Sequence, residues 1–284
     1  MKNPVIKKVL VLGATGLLGR PVVHSLVQSG REVRILTRNA VKARQRFGDT
    51  AEIIEGNAHN RENIRSALAG CDAVHISLPQ EQETAAMKLV TEISTKEKLF
   101  RVTYVSATTA FEENRWFPLV DIKLRTEEIL RKSGLPYTIF CPTWVMDTLK
   151  NFVHDGRAVV IIGKNPPPLH FFAASDFGRM VAASYNDDRS LGKRLFIHGP
   201  EGFTLPEALE KYLSAAHPGV KVMKMKLWQS RFIATLTRNG NLKYISRLIG
   251  YFDKTGEMGD PEEANQLLGQ PSITLSEWLS SLKH

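Results

Sequence analysis

The sequence predicts a doubly wound α/β fold, a mostly parallel sheet covered by helices, followed by a smaller C-terminal lobe. Three observations predict it. Short β-rich apolar runs alternate with helical patterns through the first half of the chain, as in βαβ units. A glycine-spaced loop joins the first such run to the first helical pattern. The alternation then stops at Pro142 and gives way to a less regular region ending in Gly163-Lys164-Asn165-Pro166-Pro167-Pro168, whose prolines exclude helix interiors and central strands. With 284 residues and 43% hydrophobic content the chain is long enough for one large or two small cores. The expected division is 1–147 for the sheet domain and 148–284 for the lobe, with about 173–199 partly returning to the sheet.

Taken in order, strands are expected near Lys8–Leu12, Glu32–Thr37, Ala51–Glu55, Ala73–Leu78, Arg101–Ser106 and Tyr137–Cys141. The first helix follows from Leu17, Leu18, Val22, Leu26 and Val27, which recur at helical spacing before Gly30. Ile64, Ala67 and Leu68 repeat the pattern between Arg61 and Gly70. Beyond Pro142, Asp176 is read as the N-cap of a helical run Phe177–Ala183. Arg194–His198 reads as a strand, and Leu205–Ala215 and Leu275–Leu282 read as helices.

No stretch approaches the roughly 20 apolar residues of a membrane span, and Met1-Lys2-Asn3-Pro4 opens no signal peptide, so a cytoplasmic protein is expected. Cys71 and Cys141 form no C-x-x-C pair and sit in or beside apolar runs, as buried thiols do. The histidines make no H-x-x-x-H pair or carboxylate cluster, and no metal is expected. The net charge of +9 does not by itself point to nucleic acid, because its excess is concentrated. Lys221, Lys224, Lys226, Arg231, Arg238, Lys243, Arg247 and Lys254 face the single acid Asp253. In that window Trp228, Phe232 and Leu236, then Tyr244, Leu248 and Phe252, recur every four residues. Three readings apply: a lobe closing over a substrate, a surface for membranes or acidic partners, or, the favoured one, a solvated basic face over an apolar core.

The loop Gly13-Ala14-Thr15-Gly16-Leu17-Leu18-Gly19 follows the run Val9–Leu12 and opens the first helix, the context that gives a glycine motif meaning. Gly13 permits a tight turn, Gly16 lets the backbone approach a pyrophosphate, and Gly19 lets the helix lie close to the sheet. A helix N-terminus there offers N–H groups and positive potential to phosphates. The prediction is a Rossmann-type dinucleotide site. NAD(H) would call for a carboxylate at the end of the second strand, and this strand ends instead in Thr37-Arg38. Arg38 suits a 2′-phosphate and Lys42 offers a further charge, so NADP(H) is expected over NAD(H); the other reading places both in a solvated basic face with Arg44 and Arg46.

The spacing G-x-x-G-x-x-G, and G-A-T-G-L-L-G in particular, resembles the atypical short-chain dehydrogenase/reductases that include NmrA-like and isoflavone-reductase-like proteins. The run Ser133-Gly134-Leu135-Pro136-Tyr137-Thr138-Ile139-Phe140-Cys141-Pro142 is similar to the S-G-L-x-x-T-I-x-R-P stretch of NmrA-like proteins, with Cys141 in place of arginine. The resemblance implies contacts to the dinucleotide from Asn57 in Gly56-Asn57, from Ser77-Leu78-Pro79, and from Pro142 and Thr143. It implies a lysine at Lys123 and a hydrogen-bonding serine at Ser106 as catalytic and cofactor residues, but Leu119 occupies the position of the usual tyrosine. Lys123 is then either the catalytic residue, as in the isoflavone-reductase-like group, or an exposed helical lysine paired with Glu127; Ser106 either donates to substrate or caps a turn. Trp144, Met146 and His170 are substrate-pocket candidates, each with core packing as its alternative. The resemblance thus implies an NADPH-dependent reductase of a small quinone, carbonyl or conjugated alkene, or a catalytically silent NADP(H) sensor acting on protein partners.

Overall fold

The computed structural model describes residues 5–97, 99–154 and 157–282. The opening Met1–Pro4 lies outside the described residues. The first part of the chain runs β1 (Lys8–Leu12), α1 (Gly19–Gln28), β2 (Glu32–Thr37), α2 (Ala40–Phe47), β3 (Glu52–Glu55) and α3 (Arg61–Leu68). It continues through β4 (Ala73–Ile76), α4 (Gln80–Glu97), β5 (Arg101–Val105), α5 (Pro118–Lys132) and β6 (Tyr137–Pro142). Next come β7 (Val153–His154), β8 (Arg157–Ile162), β9 (Leu169–Phe171), α6 (Ala174–Ser184), β10 (Lys193–Ile197) and β11 (Glu201–Phe203). The last part holds α7 (Leu205–Ala216), β12 (Lys221–Lys226), α8 (Leu227–Leu236), α9 (Gly240–Thr255), α10 (Glu262–Leu268) and α11 (Leu275–Ser281).

Two compact units result, one of Met1–Pro142, Ala174–Ile197 and Asp260–Gln270, the other of Thr143–Ala173, His198–Gly259 and Pro271–His284. In the first, seven strands form a sheet in the order β10-β6-β5-β4-β1-β2-β3, every pair parallel. The strand order reverses at β1, which pairs with β2 on one side and β4 on the other; loops leaving the carboxyl ends there form the ligand crevice of such sheets. Val9, Leu10, Val11 and Leu12 are fully buried, as strands covered on both faces are. One face packs Leu10 and Leu12 with Ile64, Met87, Val90 and Tyr104. Helices α1 and α6 meet closely because Gly178 lacks a Cβ, which would stand 2.4 Å from the Pro21 carbonyl oxygen.

The expected strands of this unit are present, with ends shifted by a residue or two. The reading of Asp176 is corrected: α6 begins at Ala174, so Asp176 lies inside its first turn, buried, and pairs with Arg179 at 3.3 Å.

The second unit contains strands that the sequence reading did not place. β12 pairs in parallel with β8, β7 pairs antiparallel with β8, and β11 pairs antiparallel with β9. Its core gathers Met146, Leu149, Val160, Phe171, Leu209, Tyr212 and Trp278. The expected helical repeats after Lys226 form α8 and α9, but Trp228, Phe232 and Leu236 are exposed, which corrects their reading as apolar core. No helix among the described residues is long and apolar enough to cross a membrane.

Candidate functional site

The glycine loop leaves β1 at the strand-order reversal, and close backbone contacts require two of its three glycines, Gly13 and Gly19. Gly13 has φ +86°, and a Cβ there would meet the Ser77 carbonyl oxygen at 2.0 Å, so the turn is pressed against the end of β4. Gly16 donates its N–H to the Gly13 carbonyl at 2.9 Å. A Cβ on Gly19 would stand 2.1 Å from that same carbonyl, so its close approach is to the loop itself rather than to the sheet. Around Gly16 the loop is open: only the Gly13 carbonyl lies near its Cβ position, and Leu17 is exposed. Helix α1 has no side-chain cap and no acid in its first turn, with the half-buried Leu18 as N-cap. An exposed glycine surface at an uncapped, acid-free helix N-terminus fits a phosphate group.

Thr37 ends β2, and its hydroxyl accepts the Asn39 N–H at 3.2 Å. Asn39 in turn caps α2 by accepting the Lys42 N–H at 2.8 Å, a contact worth about 1 kcal/mol. Arg38 and Lys42 are both exposed beside this cap. A residue missed by the sequence reading joins them: the Arg46 guanidinium donates to the Thr15 carbonyl at 2.9 Å, tying α2 to the glycine loop. Its signal was the i, i+4 spacing from Lys42 on α2, which puts the two side chains on one helix face. Asn57 uses its side chain in a local turn, accepting the His59 N–H at 3.0 Å. Ser77 and Leu78 are half-buried and Pro79 exposed, at the end of β4 beside Gly13.

Lys123 lies on α5, as expected, but its partner is not Glu127. Its ammonium donates to Glu83 Oε2 of α4 at 2.7 Å and to the Val105 carbonyl at 2.9 Å, and it stands 5.3 Å from the centroid of the Tyr104 ring. The two charged side chains are 12% and 1% exposed, so the carboxylate is buried and the ammonium largely so. Burial pushes the Glu83 carboxyl above its usual range, opposed by the ammonium; burial also holds the Tyr104 phenol well above its ordinary value. Tyr104 is wholly buried. Leu119 is half-buried at the position where the family resemblance implies a phenol.

Ser106 is buried too, and its hydroxyl donates to Glu127 Oε1. Glu127, wholly buried, also accepts from Arg131 at 2.7 Å and pairs with Arg194 at 3.0 Å. Glu83 was missed, and Glu127 was read only as a surface partner of Lys123. Their signal was available in the helical periodicity: Glu83 falls on the buried face of α4 with Ala86, Met87 and Val90, and Glu127 on that of α5 with Val120, Leu124 and Leu130. Cys141, which replaces the resemblance's arginine, is fully buried, and burial pushes its thiol up to about 12; Cys71 is only half-buried. Pro142 ends β6, buried.

In the second unit Thr143 is 8% exposed. Trp144 packs edge-on to Phe252 at 5.1 Å and lines a small apolar pocket with Leu169, Ile249 and Phe252; its indole N–H is buried without a hydrogen-bond partner. Met146 is fully buried in the core, which leaves it no surface for a ligand. His170, on β9, is partly exposed, and Glu257 accepts both its ring Nδ1 at 2.5 Å and its backbone N–H at 3.2 Å. The His198 ring stacks on it at 5.9 Å, with Nδ1 3.8 Å from Glu257. The fold thus brings candidate ligand atoms of two histidines and a glutamate within 4.8 Å of one another, a cluster whose wide sequence spacing hid it. Glu257 acts there as a clasp that fixes β9 to the turn after α9.

A parallel sheet with this strand reversal and a glycine loop at its crevice define a Rossmann-type α/β protein, here with a largely buried lysine on α5. The NmrA-like family matches residues 6–279, and the chain belongs to that family. It is 33% identical to the Photosystem II assembly factor Ycf39 of Cyanophora paradoxa over 141 residues, a match spanning 46% of this chain and 44% of that protein. Quinone oxidoreductase 2 of Escherichia coli is 22% identical over 96% of this chain and 98% of its own length. The crystal structure of an Escherichia coli NADPH-dependent quinone oxidoreductase in complex with NADPH shares the fold, with a TM-score of 0.77 at 22% identity, covering 97% of this chain and all of that one (100%).

Proposed function

We propose that this protein binds NADP(H) and reduces a small organic acceptor, a quinone, carbonyl or conjugated alkene. The observation that carries the reading is the open Gly13–Gly19 loop at the sheet's reversal point, with Arg38 rather than a carboxylate beyond β2. Relatives named as quinone oxidoreductase, and the fold shared with an NADPH complex, support it. In this reading the loop holds the pyrophosphate and Arg38, with Lys42 beside it, holds the 2′-phosphate. Thr37, Asn57, Ser77, Leu78, Pro79, Pro142 and Thr143 contribute the remaining cofactor contacts. When bound, the cofactor supplies the hydride.

The chain's own task is to orient the cofactor and handle one proton. Lys123 is a part-buried ammonium held by Glu83 and the Val105 carbonyl, and it is the candidate to hydrogen-bond the nicotinamide ribose and to protonate the reduced acceptor. Ser106, committed to Glu127, acts by fixing the strand end rather than by touching the acceptor. Trp144, through its unpartnered indole N–H, and His170 are the candidates for substrate contact.

A second reading, a catalytically silent NADP(H) sensor, is favoured by one observation: with Leu119 in the phenol's position, the Lys123 ammonium is already committed to Glu83. The test is NADPH titration followed by a turnover screen with quinones and enals. Turnover abolished in Lys123→Met with NADPH binding retained supports the reductase; tight binding with no NADPH oxidation by any acceptor refutes it and leaves the sensor.

A further inference from the structure

Helix α8 is apolar on two opposite sides. On the inner side Ser230 and Ala234 are buried, and the Ser246 hydroxyl of α9 donates to that of Ser230 at 2.9 Å. At 100° per residue, the row Trp228, Phe232, Leu236 stands about 170° round the helix from Leu227, Ser230 and Ala234. Those three side chains are 65%, 64% and 74% exposed. Val222 and Met223 of β12 and Tyr244 and Ile245 of α9 are exposed as well. A helix apolar on both sides is ordinarily covered on both.

The charge around this row has one sign. From Val222 to Phe252 the chain contains no Asp or Glu, whereas Lys224, Lys226, Arg231, Arg238, Lys243 and Arg247 are all exposed. Lys224 alone of these forms an ion pair with a carboxylate among the described residues, with Glu210 at 2.5 Å. An aromatic and aliphatic row flanked by cations is the composition of a helix that lies in the plane of a membrane interface.

We propose that α8 and its flanks dock on an anionic lipid surface, with Trp228, Phe232 and Leu236 entering the boundary between headgroups and acyl chains and the lysines and arginines facing lipid phosphates. Charge selects this occupant. A second copy applied through the same face would set this all-basic surface against itself, since a two-fold contact pairs identical patches. The row is also a ridge about 12 Å long on a helix of ten residues, a shape that a deformable surface accepts without a matching groove. The helix is too short to span, so the attachment is peripheral.

Co-sedimentation of the full chain with vesicles of phosphatidylcholine, with and without phosphatidylglycerol, tests this. Binding is expected only with phosphatidylglycerol and should weaken as salt rises. The double variant Trp228→Gln/Phe232→Gln should bind roughly tenfold or more weakly while melting like the parent, since both positions are exposed. Lys243→Glu/Arg247→Glu should lose the preference for the anionic vesicles. The proposal is overturned by absence of binding to either vesicle, by binding that both variants retain, or by lipid-free sedimentation showing a dimer that Trp228→Gln/Phe232→Gln dissociates. None of these readouts depends on NADPH turnover, so the proposed reductase reading stands or falls separately.

Discussion

Glu83 of α4 and Lys123 of α5 form an ion pair of 2.7 Å, with the carboxylate side chain 1% exposed. The pair decides how any Lys123 variant must be read. Removing one member strands the other in a dry site, which costs ~3–5 kcal/mol, whereas replacing both with apolar groups can be close to neutral. Lys123→Met and Glu83→Leu should therefore each lower urea stability by that order, and Glu83→Leu/Lys123→Met should recover most of the loss. Equal losses that add in the double variant would show that the pair contributes nothing. For catalysis the informative variant is Glu83→Gln: if Glu83 positions the ammonium, turnover falls while the KM for NADPH changes little.

The glycine loop separates strain from crowding. Gly13→Ala combines φ +86° with a Cβ 2.0 Å from a backbone oxygen that cannot move aside, and Gly19→Ala meets a carbonyl at 2.1 Å. Gly70 shares a positive φ of 72° but has open space where a Cβ would go. Gly70→Ala should thus cost only the left-handed penalty of about 1–2 kcal/mol. Gly13→Ala and Gly19→Ala should cost more and abolish NADPH binding. Denaturant melts of the three variants check the order; a Gly13→Ala protein as stable as Gly70→Ala would mean that the loop is not pressed against Ser77.

The first unit was largely legible because its signals are local. Buried parallel strands read as continuous apolar runs, and Gly13, Gly30 and Gly70 punctuate them at positive φ. The second unit hid its sheet because β12, Lys-Val-Met-Lys-Met-Lys, pairs with a strand 64 residues earlier, and its exposed Val222 and Met223 break the alternation of a half-buried strand. The site was legible in kind but not in wiring. Lys123 was found by resemblance, yet its partner lies 40 residues upstream, where only a carboxylate on an apolar helix face marks it. Trp228, Phe232 and Leu236 misled for the converse reason: helical spacing shows that residues share a face, not which face is covered.

Arg38 and Arg46 should behave differently although both are basic and near the loop. Arg38 is exposed and makes no ion pair with a carboxylate among the described residues, which leaves its guanidinium available to a phosphate; a charge-assisted bond of ~1.5–3 kcal/mol corresponds to roughly ten- to a hundredfold. Arg38→Ala should reduce the preference for NADPH over NADH by that factor. Arg46 donates to the Thr15 carbonyl, so Arg46→Ala loosens the loop that both dinucleotides share and should weaken them alike. Fluorescence titration of both cofactors resolves the two cases, and an unchanged preference in Arg38→Ala would remove that residue from the site.

His75 gives the first unit a calculable pH dependence. It lies in β4, fully buried, with Nδ1 2.9 Å from the Thr103 hydroxyl, which is itself 2.8 Å from the Tyr185 hydroxyl, and with the Phe177 ring at 6.4 Å. Among the described residues no carboxylate is hydrogen-bonded to the ring, and burial lowers its pKa from 6.5 to about 3. The sign follows from proton binding. Above the unfolded value both states hold a neutral imidazole and nothing is gained or lost; below it the unfolded chain takes up a proton that the folded chain refuses. Stability therefore falls as pH drops from 6.5, and continues to fall until the folded ring titrates near 3. Between about pH 7.5 and pH 5.5 the loss from this residue is ~1.4 kcal/mol. His75→Gln keeps a polar group beside Thr103 but cannot titrate, so its urea stability should decline less over the same interval by that amount. Parallel pH profiles for parent and variant would instead mean that His75 is protonated within the fold or reached by water.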